Sequence, residues 1–275
     1  MSWDSTLNLA AYADVEAESN YATPESLRNY RALLLQKSVP VADFIGRLPR
    51  KNRKLHVLEL CSGSSRLLYA LNERGILAEG YGVEVSQSRH EFAETWKKDL
   101  SACNVHNLLC DVGEYHFRHD RLDVAVLIDG ALSYLYPCDP KLPTRVLCEL
   151  QNRLVAGGKI VMEFDLLPKE HVEVMHREGR RRTWNKGDER DAFGYALYQV
   201  EPVDWDHMVF QNTSIYLPRT TAPEKVKQEI YKYYSTQELA ALLDEVGFDV
   251  EYFGSFGAEA YTPQSKALIA VATKR

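Results

Sequence analysis

The chain has 275 residues, of which 45% are hydrophobic and 26% are charged. This length suffices for one large α/β domain with insertions, and we expect a single domain over residues 1–275. The formal net charge of −6 argues against a broad nucleic-acid-binding face, which needs clustered lysine and arginine, and favours a small-molecule partner. No apolar run approaches the ~20 residues of a membrane span, and the first residues do not resemble a signal peptide, so we expect no membrane association and a cytoplasmic location.

The five cysteines are an odd number, and none is spaced as C-x-x-C or set beside histidines in a zinc-like pattern. We therefore expect reduced thiols and no metal site. Asp129 and Asp165 follow two predicted strands and offer two carboxylates. The Asp-Asn pair of metal-dependent catechol-type enzymes is absent, because Leu166 follows Asp165.

Residues 1–50 are predicted to form a helical cap. Thr23 is a plausible helix N-cap followed by Pro24 in the first turn, and the helix should run over 27–45 with Gly46 as a possible stop.

The segment 55–68 is typical of a nucleoside-binding strand, turn and helix. Its apolar run ends in a turn that contains Gly63, and the next predicted strand ends at Glu84. Backbone N–H groups of such a turn face a ligand, while a carboxylate one strand later can bind ribose hydroxyls. A dinucleotide would need three glycines around its pyrophosphate, but Cys61 and Ser65 stand at the outer positions. S-adenosylmethionine has no phosphate, so this relaxed turn favours it as the cofactor.

From residue 55 onward, apolar runs alternate with amphipathic segments, which indicates a parallel sheet with crossover helices. The predicted strands of this core, which spans 51–165, are 55–60, 79–85, 105–110, 122–128 and 159–164. The carboxyl ends of such strands meet in one crevice at the point where the strand order reverses.

Residues 166–230 interrupt this alternation. The densely charged stretch 173–191, with basic residues from Arg177 to Arg190, is either a solvated face or a contact for an anionic substrate or RNA. Stretches 195–201 and 208–217 are typical of strands, so we predict a small antiparallel lid here.

The last part, 231–275, is regular again. A capping box at Ser235 and Glu238 should open a helix over 239–246 that Gly247 ends. Two strands are expected at 248–253 and 267–272.

Five motifs in this order resemble those of the class I S-adenosylmethionine-dependent methyltransferases, over 50–166 and 231–275. They are the turn after Glu59, the acid Glu84, the segment 110–112, the strand and turn 124–135, and the Gly-Gly strand entry 154–164. The resemblance implies a Rossmann-like α/β fold: a seven-stranded, mostly parallel sheet whose last strand is antiparallel.

The resemblance and the crevice together predict the site. Tyr21 or Tyr12 is predicted to fold over the cofactor, and Tyr134 and His207 are the candidates for catalysis. Asp129 is either a helix-capping acid or a ligand contact, and Tyr195, Tyr198 and Tyr216 are candidates for the acceptor pocket. The predicted cofactor-binding residues are Tyr21, Glu59, Cys61, Ser62, Gly63, Glu84, Val85, Asp111, Val112 and Asp129.

The leading hypothesis is methyl transfer from S-adenosylmethionine to nitrogen or oxygen of a small molecule, with secondary metabolism as the suggested setting. Methyl transfer from a sulfonium needs alignment and exclusion of water more than a strong base. Three alternatives stay open: an RNA or protein methyltransferase that uses the basic stretch from Arg177 to Arg190, an NAD(P)-binding oxidoreductase, and a catalytically silent binding protein. The acceptor's identity and the choice between monomer and homodimer also stay open.

Overall fold

The computed structural model describes residues 6–11, 16, 21, 23–48, 53–116, 121–187, 193–219, 224–265 and 267–275. Its helices are α1 (Thr6–Ala11), α2 (Pro24–Arg47), α3 (Arg66–Glu73), α4 (Gln87–Leu100), α5 (Ala131–Cys138), α6 (Leu142–Arg153), α7 (Lys169–Glu178) and α8 (Thr236–Val246). Its strands are β1 (Leu55–Leu60), β2 (Leu77–Glu84), β3 (Val105–Leu109), β4 (Leu122–Leu127), β5 (Leu154–Phe164), β6 (Arg181–Lys186), β7 (Phe193–Asp204), β8 (Val209–Pro218), β9 (Lys225–Lys232), β10 (Phe248–Phe253) and β11 (Leu268–Lys274).

The central sheet has seven strands in the order β10-β11-β5-β4-β1-β2-β3. Strands β1 to β5 pair in parallel, and β11 runs antiparallel to both of its neighbours. This confirms the predicted mostly parallel sheet with an antiparallel last strand. The strand order reverses between β1 and β4, so the crevice of an open α/β sheet lies at the carboxyl ends of these two strands.

Helices cover both faces of this sheet because side chains alternate along each buried strand. Leu58 of β1 packs into a cluster with residues of α5, α6 and α8. Val57, its neighbour in the chain, packs into a second cluster with residues of α2, α3 and α4. The two clusters sandwich the sheet and hold the carboxyl ends of β1 and β4 in fixed positions.

The lid is an antiparallel sheet of four strands in the order β6-β7-β8-β9. It follows β5 as predicted, but the prediction contained only two of its strands. The charged stretch forms α7 and the edge strand β6, and β9 runs two residues beyond the expected boundary at 230. Helix α7 packs on one face of the sheet, where Met175, Phe210 and Tyr231 form a small core.

The N-terminal part joins the lid to the core. Helix α1 lies against β9, where the Asn8 side chain donates to the carbonyl of Ile230 at 2.9 Å and accepts from its N–H at 2.7 Å. Helix α2 begins at the predicted cap, with the Thr23 hydroxyl accepting from the N–H of Ser26. It continues through Gly46 to Arg47, so the expected stop at Gly46 is wrong by one residue.

Most predicted bounds of the core agree with the structure within two residues. The exception is β5, which starts at Leu154 and not at 159. Leu154 already pairs with Leu122 of β4, and the pairing resumes at Lys159 after a shift in register. None of the helices in the described ranges is long and apolar enough to cross a membrane.

Candidate functional site

A cavity of about 440 Å³ lies at the carboxyl ends of β1, β2, β3 and β4. Ten of the twelve predicted site residues line it: Glu59, Cys61, Ser62, Gly63, Glu84, Val85, Asp111, Val112, Asp129 and Tyr134. They come from four separate strand ends, which the sheet order brings together.

The turn between β1 and α3 forms the floor of this cavity. Cys61, Gly63 and Ser65 all have left-handed backbone, with φ of 56°, 57° and 56°. An L side chain in this region costs roughly 1–2 kcal/mol, which glycine avoids. The turn therefore has a backbone conformation that favours glycine at all three positions, although Cys61 and Ser65 carry side chains.

Glu84 ties the turn to the next strand. Its buried carboxylate accepts from the N–H of Gly63 and from the N–H of Ser86, both at 2.7 Å. Each carboxylate oxygen has a second lone pair, so Glu84 can still accept hydrogen bonds from a ligand.

Glu59 is a buried acid, and one of its carboxylate oxygens lacks a hydrogen bond from the described residues. It is 2% exposed, and its Oε2 atom has no hydrogen-bond partner among the described residues. Burial raises its pKa to about 8, and the negative charges of Asp129 and Glu84 act in the same direction, against Arg66. Such a group favours a cationic ligand, which would restore its ionised form.

The end of the cavity near β2 and β3 combines an acid with apolar surface. Asp111 follows β3 and accepts from the N–H of Gly113 at 2.6 Å. Val85 is 44% exposed and lines the cavity together with the buried Val112. A flat apolar ring could pack here against two aliphatic side chains, with the carboxylate of Asp111 nearby as a hydrogen-bond acceptor.

The opposite end of the cavity is acidic. Asp129 has left-handed backbone, and its carboxylate pairs with Arg66 at 2.7 Å instead of capping α5. Its N–H donates to Glu163 at 3.0 Å. Burial raises the pKa of Glu163, against the hydrogen bond from the N–H of Asp129, and burial together with the charge of Asp129 raises the pKa of the nearby Asp165.

Tyr134 lines the cavity, and its ring lies 6.0 Å from the ring of Tyr231 on the lid. His207 lies elsewhere, on the turn between β7 and β8, where its Nδ1 atom is 2.9 Å from Asp204 Oδ2. The geometry therefore places Tyr134, and not His207, at the cavity.

Tyr21 is also outside the lining of the cavity. Its ring lies 4.9 Å from Tyr30 and 6.3 Å from Phe92, and burial raises its pKa to about 12. Tyr12, the other aromatic residue considered as a cover, lies outside the described residues.

The lid separates the tyrosines proposed for an acceptor pocket. Tyr198 and Tyr216 share one sheet face with the buried Ala196, and their rings contact edge to face. Tyr195 lies on the other face and is 51% exposed. In the charged stretch, Arg177 pairs with Glu178 at 2.8 Å, whereas Arg190 lies outside the described residues.

Five polar residues that line the cavity were missed: Asn8, Glu16, Ser64, Arg66 and Arg89. Arg66 and Arg89 lie in the first turns of the helices that follow β1 and β2, a position that could have identified them. Glu16 is bound by the hydroxyl of Tyr30 at 2.8 Å and lies 3.5 Å from Arg89. Asn8 and Glu16 reach the cavity from a distant part of the sequence, so no local pattern identifies them.

The sheet order is that of the class I S-adenosylmethionine-dependent methyltransferase fold. The methyltransferase CcbJ from Streptomyces caelestis superposes with a TM-score of 0.70 at 18% identity, over 86% of this chain and 90% of that one. CalS10, a SAM-bound amino pentose methyltransferase of calicheamicin biosynthesis from Micromonospora echinaspora, has a TM-score of 0.66 at 14% identity, over 93% and 99%. The sugar N-methyltransferase KedS8 from a Streptoalloteichus species has a TM-score of 0.60 at 16% identity, over 86% and 88%.

No protein-family model matches the sequence, and no curated protein matches it. At these identities the likeness is one of fold.

Proposed function

We propose that this chain transfers a methyl group from S-adenosylmethionine to nitrogen or oxygen of a small-molecule acceptor. The observation that carries the proposal is the buried carboxylate of Glu59, whose Oε2 atom has no hydrogen-bond partner in the described part of the chain, in a cavity at the switch point of a methyltransferase fold. The similar structures include a sugar N-methyltransferase and an amino pentose methyltransferase, which supports a small acceptor.

The residues of the cavity fit this cofactor. Glu59 would hold the ammonium of the methionine part, Glu84 the ribose hydroxyls, and Val85 the adenine ring. Among the described residues, five carboxylates and two guanidinium groups line the cavity, a balance that suits a cation better than a pyrophosphate. This balance favours S-adenosylmethionine over a dinucleotide such as NAD(P).

When bound, the cofactor supplies a methyl group on a positively charged sulfur that is already a good leaving group. The chain's own task is then to align the acceptor and to exclude water. Asn8 and Glu16, from the N-terminal part of the chain, line the cavity, and the Asn8 side chain hydrogen-bonds to the backbone of β9 in the lid. These residues would separate the reacting atoms from bulk water.

The acidic end of the cavity is the proposed acceptor side. A carboxyl group whose pKa is raised is a better proton acceptor than an ordinary carboxylate. Burial raises the pKa of Asp165, which is not in the cavity lining but lies next to it: a β-carbon on Gly130 would be 3.9 Å from Asp165 Oδ2 and 3.6 Å from the ring of Tyr134, which lines the cavity. We propose that Asp129 and Asp165 orient an amine or hydroxyl and that Asp165 receives its proton.

We also propose that residues 1–275 work as one domain in the cytoplasm and that the reaction belongs to secondary metabolism. The involvement of CalS10, one of the similar structures, in calicheamicin biosynthesis supports the last point.

The test is a screen for formation of S-adenosylhomocysteine with libraries of amines, amino sugars and phenols. With an active acceptor, Asp129→Asn should lower kcat/KM by roughly tenfold to a hundredfold, because it removes one charged contact to the acceptor side. Asp249→Asn on the outer strand β10 is the matched control and should leave activity unchanged. Turnover of no acceptor by a protein that binds the cofactor would contradict the proposal.

A further inference from the structure

Ser65 is a residue whose backbone conformation demands an explanation. It is fully buried and has φ 56° and ψ 26°, the left-handed region that disfavours L side chains. It closes the turn between β1 and α3, since its N–H donates to the carbonyl of Ser62 at 2.9 Å. Something outside the turn must stabilise a serine in this position.

The Ser65 hydroxyl is not used as a helix cap. Ser65 is the residue that precedes α3, where serine commonly accepts from a backbone N–H of the first turn, yet no such bond is present. The hydroxyl instead lies 2.7 Å from Oδ1 of Asn107, on β3.

The orientation of the Asn107 amide is determined by its other partners. Its Nδ2 atom donates to Glu94 Oε1 at 2.8 Å and to the hydroxyl of Tyr69 at 3.0 Å. The Tyr69 hydroxyl in turn donates to the carbonyl of Ala93 at 2.7 Å. Both amide hydrogens are therefore used, so Oδ1 must face Ser65, and Ser65 must be the donor.

Gly82 of β2 leaves the space that this contact needs. A β-carbon at this position would lie 2.8 Å from the hydroxyl oxygens of both Ser62 and Ser65. Strand β2 thus accommodates the side chains of both Ser62 and Ser65.

We propose that Asn107 is a positioning residue for cofactor binding. It does not line the cavity, and it acts by holding Ser65 in the left-handed conformation. The inference rests on the proposed function. A glycine at position 65 would adopt this conformation unaided, so the tether is the compensation for a side chain there.

The test measures the Kd for S-adenosylhomocysteine by calorimetry for four variants. Ser65→Gly should stay within about threefold of the unsubstituted protein, whereas Ser65→Ala and Asn107→Ala should each weaken binding about tenfold, the loss expected for one preorganising hydrogen bond. In the Ser65→Gly background, Asn107→Ala should change the Kd by less than about threefold, because no strained side chain remains to be held. Asn152→Ala on the exposed face of α6 is the control.

A purely structural role for Asn107 would weaken binding equally in both backgrounds, which would overturn the inference. Equal losses for Ser65→Gly and Ser65→Ala would also overturn it, because the hydroxyl would then serve the ligand directly. If Asn107→Ala fails to fold, the comparison of the two Ser65 variants decides alone. Absence of any binding by the unsubstituted protein would instead overturn the proposed function, and the inference with it.

Discussion

At the scale of single residues, Glu59 and Glu84 line one cavity but differ in how their carboxylates are hydrogen-bonded. Glu84 is satisfied by two backbone N–H groups, whereas the Oε2 atom of Glu59 has no partner among the described residues. Burial disfavours the ionised state of this carboxyl group and raises its pKa to about 8 in the ligand-free protein. A cationic ligand reverses this preference.

Binding of S-adenosylmethionine should therefore release a proton near pH 7. Because its raised pKa is about 8, Glu59 should lose its proton when it binds an ammonium, so affinity should rise as the pH increases from 6 towards 8. Calorimetry in buffers of different ionisation enthalpy measures this release. Glu59→Gln should abolish it, while Glu251→Gln on β10 should preserve it. A proton release that survives Glu59→Gln would contradict this role.

The same residue links the stability of the ligand-free protein to pH. Its folded pKa lies above the ordinary value of a glutamate, so the folded state binds the additional proton and loses stability as the pH rises from about 4.5 towards 8. Glu59→Gln should remove this dependence, which denaturant unfolding at pH 5 and pH 8.5 measures. An equal loss of stability between these pH values in both proteins would contradict the assignment.

At the scale of elements, the lid and the N-terminal segment show what local sequence patterns miss. The N-cap at Ser235 and the strand 248–253 are local features, and both were predicted from the sequence. Of the predicted capping box only the Ser235 half is present, because the Glu238 carboxylate pairs with Lys232 at 2.8 Å. Strand β6 was hidden in a charged stretch, because an exposed edge strand needs no apolar alternation. The contact of Asn8 with Ile230 spans 222 positions, a distance that no local pattern covers.

Asn8 should fasten α1 to the lid. Asn8→Ala removes both hydrogen bonds to the backbone of Ile230, so the N–H of Ile230 should exchange with solvent at least about tenfold faster. Hydrogen exchange resolved at β9 measures this rate. Gln228→Ala on the same strand is the control and should leave the Ile230 N–H protected. Unchanged exchange in Asn8→Ala would show that α1 is held by other contacts.

At the scale of the whole molecule, the fold was more predictable than the acceptor site. Five parallel strands produce apolar runs with turns at regular intervals, so the succession of strands and helices along the core could be predicted from the sequence. The cavity end that holds Asp111 and Glu84 follows strand ends and was identified for the same reason. His207 and Tyr21 lie outside the cavity lining, because their positions depend on how the lid and the cap pack in three dimensions.

The cofactor should stabilise the folded chain as a whole. At a concentration of 100 times its Kd, a ligand specific for the folded state adds about 2.7 kcal/mol, which corresponds to a rise in Tm of roughly 5 °C for a chain of this size. Thermal unfolding with S-adenosylhomocysteine and separately with NAD and NADP measures this effect. Stabilisation by a dinucleotide alone would favour the oxidoreductase alternative.

The most direct measurement is a calorimetric titration of the purified protein with S-adenosylmethionine, repeated for Glu84→Ala and for the control Glu251→Ala. The unsubstituted protein and the control should bind one equivalent with similar affinity, and Glu84→Ala should bind at least about tenfold more weakly, because it loses the ribose contact and the tether to Gly63. No binding by the unsubstituted protein, or equal binding by all three, would contradict the account.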